Sequence, residues 1–236
     1  MVAVLLTARG NNTLKDKNLL GIGGGYPVIY YPAKAGIDSK TIERHFVSSD
    51  DEKILDFAHE MGYEKIKRPD ELALPSSQHI ETIAHGLNVM NERNVFPEIL
   101  VVTLGNNITI NSKMIDDCVD VIKNDMTLSS CVPVYKDNDH HPLRCKRINE
   151  DGYLYPFFEA VGKVSTNRQD LESCYYLCHN FWVLNVKMFN SWNLGQPPWL
   201  FMGNKIAPYI VENSIDIHNE FDLRVAKEWL AFKNEI

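Results

Sequence analysis

Residues 2–7, 98–104 and 128–134 of this chain are almost unbroken apolar runs, rich in Val, Leu and Ile, where a half-exposed strand would alternate. Runs of that kind are strands buried on both faces, and such strands belong to a parallel sheet with helices packed on either side. The covering helices are legible between the runs. Residues 51–60, 79–92 and 112–123 place apolar side chains at three-and-four spacing, with charges on the opposite side. The expected fold is therefore α/β, a mainly parallel sheet flanked by helices. A chain of 236 residues holds one such core, or one core with a small appended lobe. Residues 1–236 read as a single domain.

Pro27 follows the glycine-rich GIGGGY and stands where a first helical turn accepts proline, so the first helix is expected to run on through residues 28–34. From residue 137 the pattern changes to short extended pieces, turn signals such as NEDG, and the aromatics Tyr153, Tyr155, Phe157 and Phe158. That change marks an inserted lobe over residues 137–179. Strand character returns at 180–186 and 215–217, and residues 219–233 form a closing amphipathic helix capped by Asn219.

Charge and cysteine content narrow the function classes. With 24 Lys and Arg against 31 Asp and Glu, the net charge of -7 argues against nucleic acid or an anionic membrane as the main partner. The five cysteines, Cys118, Cys131, Cys145, Cys174 and Cys178, are odd in number and form no CxxC pair, so neither a disulfide frame nor a zinc site is expected. They read as small core residues of a protein in a reducing cytoplasm. The opening apolar run meets Arg9 too early to be a signal peptide or a membrane span.

The segment LLTARGNNTLKDKNLL, residues 5–20, leads from the first buried strand into a loop holding Arg9, Gly10, Asn11, Asn12, Lys15, Lys17 and Asn18. In open α/β sheets, ligands bind beyond the carboxyl ends of strands. A small residue, exposed amides and two or three cations there can surround a triphosphate and stabilise the charge that builds in phosphoryl transfer. The loop is neither a Walker A nor a GxGxxG loop. On these residues alone, a polar loop with ordinary solvated lysines explains it equally well.

The same loop resembles the ARGGSKGxPxKN signature of CMP-sialic acid synthetases and other sugar-acid cytidylyltransferases. Ala8, Arg9, Gly10, Lys17 and Asn18 match, the loop is one residue shorter, and Asn11, Asn12 and Thr13 replace Gly, Ser and Lys. Further segments match in the family's order: HFVSSDDEKILDFAHEMG, KRPDELA with Arg68, HPLRCKRINEDGYLYP, RQDL at 168–171, and SIDIHNEFDLRVAKEWL with Asp216 and Asp222. The resemblance implies a Rossmann-like, GT-A-like nucleotidyltransferase fold. It implies a nucleotide site formed by Ala8, Arg9, Gly10, Asn11, Lys17, Asn18 and Arg68, with catalytic roles for Arg9, Lys17 and Asp216. It implies CTP and a small acidic sugar, sialic-acid-like or a related 2-keto sugar acid, as substrates, with pyrophosphate released. It further implies magnesium (Mg2+) held by Asp216, a hard cation for which one or two carboxylates plus phosphate oxygens suffice, and a homodimer whose inserted lobes exchange contacts. Asp222 is expected to cap the last helix instead.

The acceptor half departs from the family pattern. His218 stands at the second metal aspartate and is expected to be auxiliary, positioning a metal-bound water or a phosphate, or else purely structural. VTLGNNITI replaces LLQPTSPLR, leaving Asn106 and Asn107 as candidate substrate donors, with a plain strand-closing turn as the alternative. Tyr176 and Cys178 stand where arginine and asparagine bind the sugar acid, which leaves Arg168 for the acceptor carboxylate. No side chain identifies itself as the general base. The divergence keeps two other readings open, a phosphonate or other non-sialic acceptor, and a nucleotide-binding protein with impaired catalysis.

Overall fold

Every residue of strand β1 (Val2–Thr7) is buried in the computed structural model, which describes residues 1–10, 12–159, 162–189 and 195–235. A small hairpin follows, β2 (Gly21–Gly23) and β3 (Tyr26–Pro27), then α1 (Tyr30–Asp38), β4 (Arg44–Ser49), α2 (Glu52–Glu60) and β5 (Glu64–Lys67). Next come α3 (His79–Glu92), β6 (Ile99–Leu104), α4 (Ser112–Asn124) and β7 (Ser130–Lys136). An excursion with a second hairpin, β8 (Lys146–Ile148) and β9 (Leu154–Pro156), returns through β10 (Tyr175–Leu177) and β11 (Phe181–Asn185). The order closes with α5 (Val186–Phe189), β12 (Ile206–Ile210) and α6 (Glu220–Glu235).

The main sheet runs β12, β7, β11, β6, β1, β4, β5, with β10 continuing the line of β11 along β7. β5, β4, β1 and β6 are parallel neighbours and β12 is parallel to β7, while the line of β10 and β11 runs antiparallel to its partners. This is the mainly parallel sheet flanked by helices that the apolar runs require. Alternation along β1 divides the core. Val2, Val4 and Leu6 pack with residues of α1, α2 and α4, whereas Ala3 and Leu5 pack with α3 and Trp182. Each fully buried leucine removes enough apolar surface to contribute about 1.5–3 kcal/mol, which favours an interior place for β1, between β6 and β4.

Two segments fold differently from what their local signals imply. Pro27 lies in β3 and not in a helix, because Gly24 and Gly25 hold positive φ of 58° and 83°. That pair makes a tight two-residue hairpin turn, and α1 starts only at Tyr30. Residues 215–217 form no strand. Asp216 makes a single antiparallel bridge to Asn107, and the flanking amides turn to loop partners, Ile217 N to Asn106 O at 3.0 Å and Ile215 N to Thr109 Oγ1 at 3.3 Å.

Helix α6 begins where its cap places it. Asn219 Oδ1 accepts from the amides of Phe221 and Asp222 at 2.8 and 3.1 Å, and Asp222 Oδ2 accepts in return from those of His218 and Asn219 at 2.8 and 3.0 Å. The two side chains satisfy each other's orphan amides at the helix start. Ala226 and Leu230 then seat the helix on Ile22, Val28 and Ile217.

The excursion closes at a neck where Asp137 N donates to Cys174 O at 3.0 Å. Since β10 already belongs to the main sheet, the part that leaves the sheet ends short of residue 179. Cys118, Cys131 and Cys178 are core residues, but Cys145 is exposed and Cys174 half-buried, both beside the neck or in the excursion. Among the described residues, no helix is long and apolar enough to cross a membrane.

Candidate active site

Beyond the carboxyl ends of β1 and β6 lies an open cleft of about 460 Å³, lined among others by Ala8, Arg9, Lys17, Asn18, Arg68, Asn106, Asp216 and His218. The loop that leaves β1 is shaped by close packing. A Cβ on Gly10 would stand 2.7 Å from the Cβ of Asp51, so glycine alone fits there. Gly10 N donates to Asp50 Oδ1 at 3.0 Å and Ala8 N to Ser48 O at 3.2 Å. The loop is thereby tied to the end of β4, and Gly10 backs the cleft without lining it. Asn12 and Asn18 both donate through Nδ2 to Arg9 O, at 2.6 and 3.0 Å, which curls the loop around Arg9. Asn18 is buried and its Oδ1 has no partner among the described residues.

Three cations enter this space. Arg9 reaches across to Leu74 O with Nη1 at 3.0 Å. Lys17 donates to Ile217 O at 2.9 Å, joining the first loop to the last one. Arg68 is buried, with Nε on Ser48 Oγ at 3.2 Å and Nη2 on Ser48 O at 2.8 Å. Burial holds the pKa of Arg68 down to about 10, with Asp50 opposing and Arg9 adding to the fall, so the group stays cationic at neutral pH. Burial also lowers that of Lys17, against the pull of Asp216.

Among the described residues that line the cleft, Asp216 is the one carboxylate. Asn106 Nδ2 donates to its Oδ1, and His218 Nε2 lies 2.9 Å from its Oδ2. Burial raises its pKa, opposed by His218 and Lys17. Among the described lining residues, the three cations Arg9, Lys17 and Arg68 outnumber the carboxylate of Asp216, which makes the wall favourable to an anionic ligand.

Some expected residues stand elsewhere. Asn107 is fully buried and spends its amide on the corner after β6, donating to Ser214 Oγ at 3.1 Å and accepting from Thr109 N and Oγ1 at 2.9 and 2.7 Å. It does not line the cleft. Arg168 pairs with Asp139 in the lobe and lines a separate groove with Lys136 and Asp137. Tyr176 donates to His140 O, and Cys178 is buried. Asn11 lies outside the described residues.

Two histidines also line the cleft with no local motif to mark them, His79 and His179. His79 opens α3 with its ring edge-on to Trp182 at 5.1 Å. Packing around the ring, then the fields of His179, Arg68 and Arg9, push its pKa down to about 4, although its opening to the cleft lets water offset part of that push. His179 is half-buried, and burial lowers its pKa against the pull of Asp216. Its one sequence signal is its place just before the apolar run at 180–186, mirroring Ala8 just after the run at 2–7.

Likeness to known proteins bears on this region. The cytidylyltransferase family matches residues 3–147 of the chain. The N-acylneuraminate cytidylyltransferase of Escherichia coli O18:K1:H7 (strain RS218 / NMEC) is 27% identical over 96 residues, 41% of this chain but 23% of that protein, so the match spans less than a quarter of that relative's length. Among solved structures, a CMP:2-keto-3-deoxy-manno-octonic acid synthetase complexed with CTP superposes with a TM-score of 0.70 at 13% identity, covering 98% of this chain and 99% of that one. A 4-diphosphocytidyl-2C-methyl-D-erythritol synthase from Anaerococcus prevotii DSM 20548 gives 0.67 at 15% identity, over 98% and 96% of the two chains. A cytidylyltransferase from Leptospira borgpetersenii serovar Hardjo-bovis (strain JB197) gives 0.60 at 15%, over 98% and 87%. At such identities these structures share the fold, the Rossmann-like nucleotidyltransferase fold.

Proposed function

Because the chain belongs to the cytidylyltransferase family, we propose that it transfers CMP from CTP to a hydroxyl of a small acidic sugar, a sialic-acid-like or related 2-keto sugar acid, releasing pyrophosphate. The observation that carries this reading is the convergence of Arg9, Lys17 and Arg68 on one cleft whose described lining holds a single carboxylate. In the proposed reaction the acceptor oxygen attacks the α-phosphorus in line, and the bond to the pyrophosphate oxygen breaks on the far side. Arg9 and Lys17 stabilise the charge gathering on the leaving group, and Arg68 holds the nucleotide from its seat on Ser48.

Among the described residues, no three His, Cys, Asp or Glu side chains are grouped to hold a metal. Asp216 nevertheless offers one anionic oxygen pair at the cleft wall, and a cation shared with phosphate oxygens needs no more from the protein. The donor set fits such a shared magnesium, which would neutralise phosphate charge when bound. Asn106 and His218, one on each carboxylate oxygen, orient Asp216. The five free thiols suit a cytoplasmic setting. The exposed Ile148, Tyr153, Leu154, Phe157 and Phe158 of the second hairpin suit contact with a second copy of the chain.

The place of Arg168 favours a second acceptor class. The carboxylate partner implied by the family pattern is paired with Asp139 outside the cleft, so a phosphonate or other non-sialic acid remains the alternative. Titration calorimetry should show CTP binding more tightly than ATP or GTP. Equal or tighter binding of a purine triphosphate would sink the assignment, and pyrophosphate release across a panel of acceptors separates the two classes.

A further inference from the structure

The line of β10 and β11 does not run evenly along β7. Leu177 faces Val134 and Val183 faces Cys131, so six steps on this line oppose three on β7. The surplus, residues 178–180, bulges out at the cleft edge of the sheet. Both sides of the bulge are pinned, Cys178 N donating to Pro133 O at 2.9 Å and Asn180 O accepting from Leu104 N at 3.0 Å. The ring of His179 packs near Trp199 at 5.2 Å and Trp182 at 6.3 Å. Bulges beside ligand sites re-aim a side chain out of the ladder. Here that side chain is an imidazole lining the cleft, and among the described residues it makes no hydrogen bond or ion pair.

Resting on the nucleotidyl transfer set out above, we propose that His179 is the general base, its free ring nitrogen taking the proton of the acceptor hydroxyl as that oxygen bonds to the α-phosphorus. One O–H bond breaks and one O–P bond forms. The bond from the α-phosphorus to the pyrophosphate oxygen breaks, its electron pair leaves with pyrophosphate, and the imidazolium returns its proton to solvent.

The rest of the cleft supplies no better base. Arg9, Lys17 and Arg68 are cations. Both oxygens of Asp216 are engaged, by Asn106 and by His218, whose own Nε2 is thereby occupied. His79 sits in the fields of Arg68 and Arg9, on the side assigned to the nucleotide. The groups that face His179 are Asp216 and His218 from the last loop and His79 from α3. Burial keeps its ring neutral, as a base requires, while Asp216 favours the cation that proton transfer creates.

The test uses His179→Gln, which keeps a similar side-chain volume and removes the basic nitrogen. Pyrophosphate release from CTP and magnesium is measured with N-acetylneuraminate, 2-keto-3-deoxy-octonate and 2-hydroxyethylphosphonate in turn. Turnover should fall by ~10²-fold or more, with CTP affinity unchanged by calorimetry and the acidic limb of the kcat–pH profile gone. Imidazole in the buffer should restore part of the rate in His179→Ala. Near-normal turnover, or a loss that leaves the acidic limb in place, overturns the base and spares the transfer. Failure of the unmutated protein to bind CTP overturns both. Histidine-labelled NMR decides without turnover, the His179 resonance being the one missing in His179→Gln. A ring neutral at pH 7 and shifted by CTP supports the proposal, and a ring protonated at pH 7 overturns it.

Discussion

Lys17 and Asp216 lie in each other's field, yet both are charged at a cost. Burial lowers the pKa of Lys17 and raises that of Asp216. A carboxyl whose folded-state pKa is raised contributes stability that is fully present below its unfolded value of about 3.9 and is lost as pH rises through the folded value. At pH 7 the ionised Asp216 is therefore a net burden on the fold. Asp216→Asn should leave the melting temperature unchanged or higher at pH 7 in magnesium-free buffer, while abolishing magnesium-dependent pyrophosphate release. A clear drop in melting temperature, or an unchanged magnesium curve, would count against this account of the residue. For Lys17→Ala, the loss of one charge-stabilising contact predicts a rate lower by ~10²-fold or more. Turnover close to normal in a folded variant would leave Lys17 only its structural tie to Ile217 O.

Elements differ in how openly the sequence declares them. β1, β6, α2, α3 and α4 are legible because their apolar periods are determined by which faces are buried, and neighbours in sequence reveal that period directly. The hairpin of β2 and β3 is not, since the proline signal for a helix start and the paired glycines of a turn compete over the same few residues, and the turn prevails. The cationic loop was readable for the same local reason as β1, its members lying within residues 9–18. His179 was hidden because its direction follows from a register offset against β7, more than forty positions upstream, and no short window contains that. Of the two roles open to Asn107, the strand-closing turn prevails, because the buried corner after β6 claims its amide. Helix α6 offers a direct check on cap energetics. Asn219→Ala removes the acceptor for two amides, which should cost about 1 kcal/mol and lower the melting temperature by about 2–4 °C in scanning calorimetry. No shift at all would mean that the packing of Ala226 and Leu230 alone holds the helix.

At the scale of the molecule, the exposed hairpin is the surface that a monomer explains least. Leu154 is 70% exposed and Tyr153 71%, next to Ile148, Phe157 and Phe158. Sedimentation of the unmutated chain should show a dimer, and Leu154→Glu should shift it toward monomer without altering CTP affinity. A monomer at every accessible concentration would remove the proposed pairing of lobes.

The closed neck of that excursion also sets what length costs. Its two ends meet at Asp137 and Cys174, and the side-chain amide of Asn138 clamps the carbonyls of Arg168, Leu171 and Glu172 at 3.1 to 3.3 Å. Once the ends are joined, the entropy of the intervening chain grows only logarithmically, about 0.6 kcal/mol for each doubling. Descendants of this chain can therefore lengthen, shorten or replace everything beyond the neck as a graft on a fixed stock, while the bulge at 178–180 and the cleft it borders keep their places.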